Sequence, residues 1–286
     1  MRICFFSSSK DREQELAEAV LAGARKHGIK GFIRPLGEEL DLTGYDVGCF
    51  VGVKSRRLFD AHRAAGKKLL LLDKGYSRHR DPANPSRWEY WRFSYNDHHP
   101  TAILESRRFP SDRFDALGLE VAPWKTDGET IIIAGSSEKY HAFYDLGDPN
   151  DYARDIVRML REFTDRPIVY RPKPSWRGAV EIEGARLSPP KEELSALLAN
   201  AAVLITHGSN ACFEAMLAGV PSIILGNAVA RPISSTSLSE VENPLRLNRK
   251  SLLNGLGYLQ FTLAEHRSGL AWETIGGIIN ADTGLS

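Results

Sequence analysis

Residues 204–226, LITHGSNACFEAMLAGVPSIILG, hold the densest group of side chains suited to chemistry. An apolar strand ends in Thr206-His207-Gly208-Ser209-Asn210, and a helical pattern begins at once. The first turn of a helix offers backbone N–H groups without intrahelical acceptors and a partial positive charge, which suit phosphate or carboxylate. Gly208 lets a ligand approach the backbone closely. Ser209 or Asn210 can cap the helix and leave other donors for a ligand. Glu214 follows one turn in, where a carboxylate can hold ribose hydroxyls. A capped helix with a surface glutamate is the plainer reading of the same residues. The commoner fingerprints do not occur: the first strand ends FFSSSK rather than in GxGxxG, and there is no GxxxxGK[ST], HExxH or GxSxG. This disfavours a dinucleotide oxidoreductase, a P-loop kinase and an α/β-hydrolase.

The elements that must position these residues are short, β-rich and separated by helical patterns. Strands are expected at 2–6, 31–35, 47–53 and 68–73, with helices at 13–27 and 55–65. Residues 74–125 break the alternation and read as a long irregular segment rich in arginine and aromatics. It restarts with strands at 130–134, 167–171, 202–206 and 222–225 and helices at 151–164, 190–200 and 210–218. A last helix lies within 263–280, weakened by Gly269, Gly276 and Gly277. Strands apolar on both faces, alternating with helices, predict parallel sheets covered on both sides. At 286 residues, about two domains are expected. The reading is α/β: two Rossmann-like, doubly wound domains, 1–125 and 126–286, facing across a cleft that takes ligands at the strands' carboxyl ends.

The strand with its small polar end, the helix spacing Glu214-Ala215, Gly219, Pro221, and the strand after it resemble the donor half of GT-B glycosyltransferases. Residues 132–137, IIAGSS, form another strand with a Gly-Ser-Ser turn fit to cradle phosphate. Residues 169–174, VYRPKP, resemble the strand-end R-P-H-P of capsule-polysaccharide Kdo transferases and related phage-encoded proteins, with Lys173 in place of the His. An ammonium there would bind phosphate as a point charge. The order continues through 72–76, 88–96 and 258–272, a combination that resembles phage and prophage, DNA-modifying glycosyltransferase-like proteins. The resemblance implies a GT-B fold whose C-terminal helix crosses back, and a nucleotide-sugar as co-substrate without a further cofactor. It implies a donor site of Gly135, Ser136, Ser137, Arg171, Lys173, His207, Gly208, Ser209, Asn210 and Glu214. Because no DxD motif stands at a strand end, stabilisation of the leaving phosphate is expected from protein groups rather than a metal.

An inverting transfer also needs a base for the acceptor hydroxyl. Asp73, ending KLLLLD, is the first candidate for this catalytic role, with Lys74 beside it to keep it ionised; Asp97, His98 and His99 come next. A salt-bridged Asp73 and surface histidines are the structural alternatives.

The net charge of +1 conceals an asymmetry. Residues 1–125 carry 22 Lys+Arg and 17 Asp+Glu, net +5, and the remainder is net −4. Lys54, Arg56, Arg57, Arg78, Arg80, Arg87 and Arg92 cluster among Trp88, Tyr90, Trp91, Phe93 and Tyr95. Basic groups contact phosphates and aromatics stack on bases. The expected acceptor is therefore acidic and held by Arg78, Arg80, Arg92, Asn96, His98 and His99. A 5-hydroxymethylpyrimidine in double-stranded phage DNA and a capsule or lipopolysaccharide glycan are the rival acceptors. A solvated basic face over core aromatics is the alternative, and a nucleotide-binding module without turnover is the alternative to an enzyme. Cys4, Cys49 and Cys212 sit in apolar runs and read as buried thiols. No signal-peptide core or membrane-length apolar run occurs, so a cytoplasmic protein without membrane insertion is expected.

Overall fold

The computed structural model describes residues 1–37, 40–53 and 56–283. Lys54 of the basic cluster and Ser55 at the start of the second expected helix lie outside them. From the amino terminus the chain forms β1 (Arg2–Ser7), α1 (Asp11–Lys26), β2 (Lys30–Pro35), β3 (Val47–Val51), α2 (Arg56–Ala64) and β4 (Lys68–Lys74). Next come β5 (Arg80–Asp81), β6 (Asn84–Trp88), β7 (Tyr90–Tyr95), α3 (Thr101–Ser106) and α4 (Asp112–Asp115). A second series follows: β8 (Thr130–Ala134), α5 (Glu138–Tyr144), α6 (Pro149–Leu160), β9 (Ile168–Arg171), β10 (Arg186–Leu187) and α7 (Leu194–Ala199). It continues through β11 (Ala201–Thr206), α8 (Ala211–Leu217) and β12 (Ser222–Ile224). The chain closes with α9 (Lys250–Gly257), β13 (Gln260–Thr262), α10 (Leu263–Ser268) and α11 (Leu270–Thr283).

Two compact units result. One comprises Met1–Ile103, Arg107–Leu117 and Asn254–Ser286; the other comprises Leu104–Ser106 and Gly118–Leu253. The division therefore falls after Leu117 rather than near residue 125, and the last thirty or so residues belong with the first unit.

The first unit carries a sheet of order β13-β7-β4-β3-β1-β2. Strands β2, β1, β3 and β4 are parallel; β7 runs antiparallel to β4, and β13 antiparallel to β7. Here the expectation of an irregular segment from 74 onward is corrected. Residues 90–95, YWRFSY, alternate in polarity within the arginine- and aromatic-rich segment, and they form β7 between β4 and β13, with Trp91 and Phe93 in the core. The last helix is likewise two helices, because Gly269 takes a left-handed conformation, φ 93°, that ends α10. Gly276 and Gly277 are carried inside α11.

The returning segment is fixed to α1 by close backbone approach. A Cβ at Gly23 would fall 2.0 Å from the His266 carbonyl oxygen and 2.9 Å from the Trp272 ring. Trp272 Nε1 donates to the Val20 carbonyl at 2.8 Å, and His27 Nε2 donates to that of Gly269 at 2.9 Å. These bonds satisfy polar groups that close packing would otherwise bury unpaired.

The second unit is a five-stranded sheet of order β10-β9-β8-β11-β12, parallel throughout. Ile131, Ile133, Val203, Ile205 and Ile223 form its core with Ile156, Val157 and Leu160 of α6. α7 is shorter than the expected 190–200: the backbone starts it at Leu194, after Pro189 and Pro190. All three cysteines are buried and free. Among the described residues no helix is long and apolar enough to cross a membrane.

Candidate functional site

In the second unit the chain leaves β8 towards β9 on one side and returns on the other as β11. A doubly wound sheet opens a crevice at such a reversal, at the carboxyl ends of the two central strands. Here those ends are Ala134 followed by Gly135-Ser136-Ser137, and Thr206 followed by His207-Gly208-Ser209-Asn210. Thr206 stitches them together. Its hydroxyl donates to the Ala134 carbonyl at 2.8 Å and accepts from the Ser209 N–H at 3.0 Å. Ser209 Oγ in turn accepts from Ala211 N at 3.2 Å, so the serine makes the local cap and the Asn210 side chain does not. Gly208 is required by packing: a Cβ would fall 1.8 Å from the Tyr140 hydroxyl and 2.6 Å from the Asn227 carbonyl oxygen.

His207 is half-buried among rings. Tyr140, Tyr144 and Tyr152 lie 6.1, 5.8 and 5.8 Å from it by centroid, and the Tyr152 hydroxyl is 2.9 Å from Nδ1. Burial, and then the neighbouring His141 and Arg231, push its pKa below the ordinary histidine value. Arg171 ends β9, half-buried, and donates to the Glu192 carbonyl at 3.1 Å. Lys173 is exposed beyond it, and Trp176 folds over to donate to Glu138, the first residue of α5, at 3.0 Å.

The structure thus gathers Gly135, Ser136, Ser137, His207, Gly208, Ser209 and Asn210 at one reversal point, with Arg171 and Lys173 at the end of the adjoining strand. Glu214 is different. It lines a groove of about 650 Å³ with Lys125, Ser195, Leu198 and Leu217, and none of the other nine expected donor residues lines that groove.

In the first unit, antiparallel pairing sets Asp73 directly opposite Arg92. Arg92 is buried, and its Nη2 lies 3.4 Å from Asp73 Oδ2 and 3.2 Å from His98 Nε2. Its Nη1 donates to the His98 carbonyl at 2.7 Å, and the Tyr76 ring covers the guanidinium at 5.3 Å. Burial alone would raise the Asp73 pKa. The contacts from His98 and Arg92 outweigh it and hold the carboxyl below the ordinary carboxylate range. His98 is shifted down, first by burial.

The six residues expected to hold an acidic acceptor do not share one surface. Arg92, His98 and His99 are internal, with the two histidine rings 4.5 Å apart. Asn96, in a left-handed conformation at φ 56°, closes the opposite end of the strand pair, where its Oδ1 accepts from Leu69 N. Arg78 and Arg80 are exposed, but both lie over the Trp88 ring, at 5.4 and 3.6 Å, and Arg12 lies over Trp91 at 4.7 Å. Trp88 and Trp91 are thus engaged by guanidinium groups. Among the described residues no group of three or more His, Cys, Asp or Glu is placed to hold a metal ion.

Sequence reasoning missed Tyr140, Tyr144 and Tyr152. The first two stand four apart on one helical face, which was readable; Tyr152 sits on the next helix and reaches His207 only through the fold.

No protein-family model matches the chain, and no curated protein sequence matches it. Solved structures do. The chain resembles the β-Kdo 2,4-transferase of Thermosulfurimonas dismutans KpsC with a TM-score of 0.57 at 13% identity, covering 92% of each chain. It resembles the β-Kdo 2,7-transferase of the same KpsC with a TM-score of 0.55 at 14% identity, covering 96% of this chain and 99% of the other. The fold is that of the GT-B glycosyltransferases. At such identity the likeness concerns the fold: two Rossmann-like units, the second with its reversal-point crevice.

Proposed function

We propose that the protein is a glycosyltransferase that moves a sugar from a nucleotide-sugar to a hydroxyl acceptor. The observation that carries this is the crevice between β8 and β11, lined by small polar residues, in a chain sharing its fold with two Kdo transferases. In this reading the second unit holds the donor. The Gly135–Ser137 turn, Arg171, Lys173 and the His207–Asn210 turn supply hydrogen bonds and positive charge to the phosphate as the sugar leaves. Glu214 serves the ribose only if nucleotide reaches the groove beside α7. The first unit serves the acceptor: exposed Arg78 and Arg80 draw an acidic molecule, and Asp73, whose carboxyl Arg92 and His98 hold too acidic to act as the base, keeps a structural role beside them.

For the acceptor we favour an anionic glycan over DNA. The stacking surfaces that supported a nucleic acid are occupied by arginine at Trp88 and Trp91. A soluble anionic oligosaccharide and hydroxymethylated DNA, each offered with labelled nucleotide-sugars, separate the two. Transfer to the glycan alone is expected. Transfer to DNA alone would reverse the acceptor assignment, and nucleotide binding without transfer to either would assign a binding module.

A further inference from the structure

The imidazole at the carboxyl end of β11 is held from several sides. The Tyr152 hydroxyl, on the first turn of α6, lies 2.9 Å from His207 Nδ1. Across the ring, Gly226 leaves room only because it has no side chain: a Cβ there would fall 2.1 Å from Nε2. The Gly226 N–H donates to the His207 carbonyl at 3.1 Å, tying the ends of β11 and β12. Tyr140 and Tyr144 complete the ring wall, and His141 packs edge-on against Tyr152 at 5.3 Å. With Nδ1 engaged, Nε2 is the ring nitrogen left for a ligand.

Which nitrogen carries the proton decides what a ligand meets. A ring protonated at Nε2 donates to an anion, whereas a lone pair at Nε2 repels one. Tyr152 keeps its own proton, since burial pushes its pKa up to about 12. The half-buried His207, its pKa lowered first by burial and then by His141 and Arg231, carries a single proton at neutral pH.

We propose that Tyr152 is a positioning residue whose hydroxyl donates to His207 Nδ1, fixing the ring proton on Nε2 to meet a phosphate oxygen of a bound nucleotide. The assignment rests on the reading of this crevice as a nucleotide site. It adds a hydrogen-bond donor of set direction where the reading needed only a strand-end histidine. Fixing the tautomer beforehand removes a reorganisation step on binding, which is how a neighbour that never touches the ligand contributes to affinity.

Tyr152→Phe keeps the ring packing and deletes the hydrogen bond. In the full chain, histidine ¹⁵N spectra read the tautomer directly, and calorimetry with CMP and with UDP reads affinity. The wild type is expected to show the Nε2–H pattern. Tyr152→Phe is expected to lose that preference and to weaken nucleotide binding about tenfold, with the melting temperature little changed. A merely packing role for Tyr152 leaves the spectrum and affinity alike in the two proteins, and that result overturns the proposal, as does an Nδ1–H pattern in the wild type. An Nε2–H pattern in a wild type that binds neither nucleotide supports the tautomer assignment and overturns the nucleotide reading of the crevice.

Discussion

Asp73 shows how one residue can look alike in sequence for two roles. A carboxylate at a strand end suits a base, yet its cross-strand partner is a buried guanidinium. A carboxyl held this acidic is a weak proton acceptor at neutral pH, so a base role works against its own pKa. Asp73→Asn is expected to destabilise the protein by about 2 kcal/mol in urea unfolding at pH 7. That is below the cost of breaking a fully buried pair, because Asp73 is partly open to water. Its folded-state pKa lies below the unfolded value, so the stabilisation is complete above about pH 4 and fades as pH falls towards the folded-state value. The gap between wild type and variant should therefore narrow at pH 3; an unchanged gap would show that the Asp73 charge does not stabilise the fold. For the donor side, Glu214→Ala should weaken nucleotide binding about tenfold in calorimetry if the ribose reaches the groove beside α7. Unchanged affinity would leave Glu214 to that groove alone.

At the scale of elements, the junction of α1 with α10 and α11 is the most exacting contact. Gly23→Val forces a side chain into the His266 carbonyl and the Trp272 ring, at a cost of about 3 kcal/mol measurable by denaturant unfolding. His266 itself is fully buried, and burial lowers its pKa from 6.5 to about 4. The unfolded chain binds this proton first as pH falls. Stability is thus lost on acidification from about pH 6.5 down to about 4 and is constant above that range. The loss is on the order of 3 kcal/mol. His266→Phe, which keeps a ring there, should flatten the pH dependence of the melting temperature in that window. The strands of both parallel stretches were legible because runs such as KLLLLD and TIIIA are apolar on both faces. β13 was not, since three residues, QFT, become strand only by pairing with β7; the alternation of β7, YWRFSY, was masked by the arginines and aromatics on either side of it.

At the scale of the whole molecule, the charge asymmetry and the GT-B fold bear on the proposed sugar transfer. Sugar transfer is expected to continue unchanged in excess EDTA, because the crevice offers N–H donors, Arg171 and Lys173 for the phosphate charge. Loss of activity on chelation, restored by a divalent cation, would instead require a metal at the phosphate. The first unit is net basic by sequence, but its structure divides the basic residues. Arg92 is internal, Arg87 is paired with Glu15 and Arg56 with Asp60, while Arg57 is exposed and Arg78 and Arg80 are exposed on the Trp88 ring.

The sequence by itself determined the α/β class, the second unit's strand-end turns and the residues gathered there, because hydrophobic period, Gly and Ser placement and strand-to-helix order are local properties. Only the tertiary structure decided which basic residues are internal, that Asp73 answers Arg92, that Glu214 faces α7, and that Tyr152 holds His207. Each of those depends on pairing between segments far apart in the chain, where a register or a helix crossing, and not the identity of neighbours in sequence, sets what a side chain meets.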